Sequence, residues 1–72
     1  MKLEIFKEGD LYRAEYTHEY SSDEDSWVLN EPMKLDELIE YLIEKKKIHA
    51  VDVADALIDL DPALGKKYFG VP

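Results

Sequence analysis

The spacing of apolar residues changes once along this chain, and that change constrains the fold more than any other feature. In residues 11–19, Tyr12, Ala14 and Tyr16 alternate with polar residues, which is the period of a strand with one face in a core. From Leu35 onward the apolar residues recur at intervals of three and four, which places them on one side of a helix. The sequence therefore predicts strands first and helices afterwards.

Two more strands are predicted beside the first. Residues 2–7 form an extended segment, and Gly9 supplies a turn that leads into the strand at residues 11–19. Residues 26–29 are long enough for another short strand, which would pair antiparallel with the strand at residues 11–19.

The helical part divides into two helices and a short helical turn. The first helix is predicted over residues 35–46, with Lys45, Lys46 and Lys47 closing its last turn in agreement with the helix dipole. The second helix covers residues 50–60. An Asp-Pro pair then predicts a helical turn over residues 62–68, which would carry Leu64, Tyr68 and Phe69 back onto the core. The predicted fold is a single α+β domain over residues 1–72, with a three-stranded antiparallel sheet covered on one face by helices (β-β-β-α-α).

Charge and cysteine content exclude several classes of protein. The 17 Asp and Glu residues exceed the 9 Lys and Arg residues, and the resulting net charge of −8 repels nucleic acid and anionic lipid. The absence of cysteine removes disulfides and zinc–thiolate sites and favours a cytoplasmic location. No apolar run is long enough to cross a bilayer or to serve as a signal peptide. We expect a soluble domain that binds neither nucleic acid nor membranes.

The segment YSSDEDSW at residues 20–27 contains the densest group of carboxylates, Asp23, Glu24 and Asp25. It lies where the connection between two strands is expected, so a solvated hairpin loop is the favoured interpretation. A docking patch, with or without phosphorylation of its serines, is the second interpretation. A calcium loop is disfavoured because the segment lacks the glycine and the distal glutamate that such loops need.

Both predicted helices carry a row of acidic residues at positions i, i+3 and i+7. The rows are Glu37, Glu40 and Glu44 on the first helix, and Asp52, Asp55 and Asp59 on the second. The two helices have the outline of a helix-turn-helix, but aspartates would face the DNA and repel it. Each row is either a solvated face that keeps the domain soluble or a surface for a basic partner.

The second helix also has a second apolar line, formed by Val51, Ala54 and Ile58 on the side away from its predicted core residues. Two explanations stay open. The C-terminal segment or the first helix covers this line, or the line contacts another chain, including a second copy of this one.

No arrangement of nucleophile, base or phosphate-binding loop is present, so the sequence predicts no catalytic residue, metal site or cofactor. We interpret the chain as a small, acidic, intracellular protein-binding module, similar in composition to inhibitors and antitoxin-like proteins, which presents its carboxylates to a basic partner. The alternative is a self-associating structural or regulatory subunit that forms a homodimer through the second helix.

Overall fold

The computed structural model describes residues 2–17 and 26–70 and places three strands before three helices. The elements are β1 (Lys2–Glu8), β2 (Leu11–Thr17), β3 (Trp27–Val28), α1 (Leu35–Glu44), α2 (Ala50–Leu60) and α3 (Pro62–Phe69). This confirms the predicted α+β fold, with the C-terminal helical turn extended to a short third helix. None of the helices in the described part of the chain is long and apolar enough to cross a membrane.

The first two strands form a tight antiparallel hairpin. Their register runs from Glu8 opposite Leu11 at the turn to Lys2 opposite Thr17 at the open end. Gly9 has a φ of 62°, which an L-residue with a side chain rarely adopts. Glycine in the first position of a two-residue loop fits the turns that match the twist of paired strands.

Alternation along the hairpin separates a buried face from a solvent face. Leu3, Ile5 and Ala14 are buried on the face that the helices cover. On the opposite face, Arg13 lies over the ring of Phe6. The predicted orientation of the strands is therefore confirmed, and the sheet has one covered face and one open face.

The third strand is shorter than the predicted span of residues 26–29. Trp27 pairs with Tyr16, so that the strand order is β1-β2-β3. The ring of Trp27 stacks on that of Tyr16 with the centroids 5.8 Å apart. The last two positions of the predicted second strand, together with most of the acidic loop, lie outside the described residues.

Helix α1 ends at Glu44, before the three lysines that were predicted to close it. Lys47 adopts a left-handed φ of 57°, which stops the helix. The N–H of Ile48 donates to the carbonyl of Leu42, and the N–H of Lys46 donates to that of Tyr41, so these carbonyls keep partners. No basic residue therefore lies in the last turn of α1, contrary to the prediction.

Helix α3 begins at the predicted cap and packs against α2. The Asp61 carboxylate accepts a hydrogen bond from the N–H of Ala63, and Pro62 occupies the first turn. Leu64 and Phe69 pack against the core as predicted. Tyr68 is not among the residues packed against the core, contrary to the prediction, and its side chain is exposed.

Side chains from both longer helices complete the core over the sheet. The largest fully buried side chains are Leu38, Leu42, Val53 and Leu57. Burial of one such side chain contributes about 1.5–3 kcal/mol to stability. Because α2 contacts β1 and α1 contacts β2, the core orders the two helices side by side across one face of the sheet.

Candidate protein-binding surface

The aspartates of α2 lie beside the open end of the hairpin. Asp52 is half-buried, whereas Asp55 and Asp59 are exposed. All three line a depression of about 170 Å³ that also includes Lys2 and Leu3 at the beginning of β1. The helix thus presents a row of carboxylates toward the β1 side of the sheet.

A second depression adjoins the first and has a slightly more apolar lining. It has a volume of about 220 Å³ and is formed by β1 and the C-terminal half of α2. Its lining combines four apolar residues with three charged ones, namely Leu3, Ile5, Ala56 and Leu60 with Lys2, Glu4 and Asp59. The two depressions share several residues and form one groove between β1 and α2, which we call the β1–α2 groove.

The glutamates of α1 form a separate acidic surface. Glu37, Glu40 and Glu44 are exposed and line a shallow depression together with Tyr41 and Lys45. None of the described depressions is lined by acidic residues of both helices. The fold therefore keeps the two predicted rows apart, each with its own surroundings.

Among residues 2–17 and 26–70, none of these six carboxylates forms an ion pair with a cationic side chain. The ion pairs of the described residues lie on the sheet, where Lys2 Nζ is 3.6 Å from Glu4 and Arg13 Nε is 2.7 Å from Glu8. Lys46 is directed elsewhere, with its Nζ 4.8 Å from the centroid of the Trp27 ring. The helical carboxylates consequently remain available to an external cation.

The second apolar line of α2 is covered for most of its length. Ala54 is only 6% exposed, and Ile58 is half-buried where α3 crosses α2 at Gly65. Val51, by contrast, is 70% exposed. Coverage by the C-terminal segment or the first helix, one of the two explanations left open by the sequence, thus holds for Ala54 and Ile58, with α3 covering Ile58. Of the three residues, Val51 offers the most surface for contact.

The acidic loop cannot be placed in this site. Asp23, Glu24 and Asp25 lie outside the described residues, so the loop, patch and metal interpretations of that segment stay predictions. Within residues 2–17 and 26–70, no three His, Cys, Asp or Glu side chains come together in a way that could hold a metal ion.

Sequence reasoning missed the β1–α2 groove and the aromatic contacts of Lys46. The alternation in residues 2–7 predicts a strand, but it does not show that this strand lies at the edge of the sheet. The Tyr16–Trp27 stack follows from the register of β2 and β3, whereas the position of Lys46 over Trp27 and Tyr41 depends on how α1 lies over the sheet. Two separate signals for the groove were present in the sequence, namely the apolar alternation in residues 2–7 and the acidic row of the second helix.

Comparisons with known proteins identified no relative of the chain. A scan against protein-family models and searches of curated proteins and of solved structures each returned no match to the chain.

Proposed function

We propose that this chain is a small cytoplasmic protein-binding module that presents the α2 carboxylates to a basic surface of another protein and blocks that surface, as an inhibitor or antitoxin-like protein does. The observation that supports this most is the β1–α2 groove, which Asp52, Asp55 and Asp59 line together with apolar residues of β1 and α2. Among the residues that the structure describes, none of these aspartates forms an ion pair. Such a combination offers charge for recognition and apolar area for desolvated contact.

The long-range part of the recognition comes from net charge. A chain of charge −8 attracts a basic partner from beyond contact distance, and this steering accelerates association at low ionic strength. Salt screens the attraction with a Debye length of about 8 Å under physiological conditions. Binding through the α2 aspartates should therefore weaken as salt is added.

Self-association through α2 has less support than contact with a basic partner. Two of the three residues on which it depends, Ala54 and Ile58, are covered by the chain's own packing. A symmetric contact around Val51 would also bring the neighbouring carboxylates of two copies together, at a cost in electrostatic repulsion.

Charge reversal on α2 tests the proposed function. The tagged protein and its Asp55→Lys/Asp59→Lys variant are used to capture proteins from lysate of the source organism, with washes at low and high salt. The control is Asp10→Lys/Glu31→Lys, which changes net charge equally but alters exposed residues outside α2. Mass spectrometry identifies the captured proteins, and light scattering gives the mass of the bait.

We expect a basic protein to be retained by the unchanged chain and by the control, to be lost at high salt, and to be absent from the α2 variant. Equal retention by the α2 variant would contradict the electrostatic mechanism. A bait that only associates with itself would replace the proposal with the homodimer alternative.

A further inference from the structure

Strand β1 is an edge strand of the sheet, and within residues 2–17 and 26–70 its outer edge is unpaired next to the β1–α2 groove. Tyr12 uses both its N–H and its carbonyl to bond Met33, at 2.8 and 2.9 Å, so it cannot also bond its register partner Lys7. Because hydrogen bonding alternates along an antiparallel pair, the backbone groups of Leu3, Ile5 and Lys7 point away from β2. No partner for them occurs among the backbone bonds of residues 2–17 and 26–70.

A free edge of this kind is a template for another strand. Natural sheets usually protect long edges, and an unprotected one can bind an extended segment through main-chain hydrogen bonds. Here the edge borders a depression that is lined in part by apolar residues, instead of a flat surface. Side chains of an added strand would therefore find a place to pack beside α2.

The charge of the groove selects the chemistry of those side chains. An added strand would direct every second side chain toward α2, where Asp52, Asp55 and Asp59 line the groove together with Ala56 and Leu60. Arginine and lysine suit this position, because their aliphatic stems pack on apolar surface while their charged ends reach the carboxylates.

We propose that the β1–α2 groove binds an extended segment of a basic protein, which adds to the sheet as a strand beside β1 and directs alternate arginine or lysine side chains to the α2 aspartates. This inference rests on the proposed function and specifies the conformation of the partner. A second copy pairing through β1 is disfavoured because it would bring the aspartate rows of two chains toward one another.

A pair of synthetic peptides tests the strand addition. The probe is a capped peptide of alternating arginine and threonine, as long as the 7-residue β1. The second peptide has the same sequence and charge, but N-methyl groups replace the amide hydrogens that would face β1. Calorimetry measures both affinities, and hydrogen exchange followed by NMR measures the amides of Leu3, Ile5 and Lys7.

Variants at Lys7 provide the matched test on the protein. Lys7 is exposed and its N–H points away from β2, so Lys7→Pro blocks the edge without removing a bond of the hairpin. Lys7→Thr makes the same change in charge but keeps the N–H. Circular dichroism checks that both variants are folded, and the N-methylated peptide tests the same bonds on the unchanged protein.

We expect the unmodified peptide to bind and to slow exchange at the three β1 amides. Its affinity should fall on the order of tenfold when the peptide is N-methylated or when the protein carries Lys7→Pro. Lys7→Thr should leave the affinity unchanged. Strand addition would be overturned if both peptides bound equally and did not slow exchange. If Asp55→Lys/Asp59→Lys abolished that binding, the proposed function would remain intact. Binding that survives the aspartate reversal would overturn both. Dimerisation of the free protein through β1 would overturn the choice of a basic segment.

Discussion

Replacement of Gly65 by alanine tests how α3 packs on α2, the contact that covers the second apolar line. A Cβ built on Gly65 would overlap Cγ1 of Ile58 and lie 3.3 Å from its Cδ1. Alanine is favoured over glycine inside a helix by about 1 kcal/mol, but an extra methyl group in a filled contact costs about 1–3 kcal/mol. We expect Gly65→Ala to lower the free energy of unfolding by roughly 1 kcal/mol, the difference between these effects.

The same substitution should reverse its sign when Ile58 is shortened. In an Ile58→Ala background the γ carbons are gone, so Gly65→Ala should raise the free energy of unfolding by about 1 kcal/mol. Ile58→Val keeps γ carbons at this position and is the control in which Gly65→Ala should still destabilise. Urea unfolding followed by far-ultraviolet circular dichroism measures all of these values. A stabilising Gly65→Ala in the unchanged protein would refute the packing of α3 on Ile58.

Two further substitutions test the C-terminal end of α1. Lys47→Gly should raise the free energy of unfolding by about 0.5–1 kcal/mol, because glycine adopts the left-handed φ of 57° without a Cβ penalty. Urea unfolding measures this gain, and an unchanged midpoint would argue against that backbone conformation. Glu44→Lys should raise it by roughly 0.5–1 kcal/mol at low salt, since it replaces a repulsive i, i+4 pair with Glu40 by an attractive one and adds a cation near the helix C-terminus. A gain that persists undiminished at 1 M salt, where the Debye length is about 3 Å, would contradict this electrostatic origin.

Much of the fold could be predicted because its signals are local. The alternation in residues 11–19 and the helical stripe from Leu35 each arise within one element, so they survive without knowledge of the rest of the chain. The start of α3 was equally accessible, because Asp61 and Pro62 satisfy and preorganise a helix N-terminus by themselves. The end of α1 was not, since it depends on a left-handed lysine, and lysine carries no local signal for that conformation.

The candidate site was only partly accessible from the sequence. Helical periodicity predicts that Asp52, Asp55 and Asp59 share a face, and the structure places them along one groove. The periodicity does not say what faces them. Their position beside the free edge of β1 follows from the packing of α2 over that strand, a contact between residues distant in the chain.

The amino-acid sequence by itself determined the types and order of the elements, the acidic character and the two rows of carboxylates, because each depends on composition or on short-range spacing. Only the tertiary structure decided that α3 covers Ile58, that the two rows lie in different surroundings, and that β1 is the edge strand beside α2. These properties depend on which surfaces meet when the helices pack on the sheet. These packing contacts minimise the exposed apolar area of the whole chain, so no short segment specifies them.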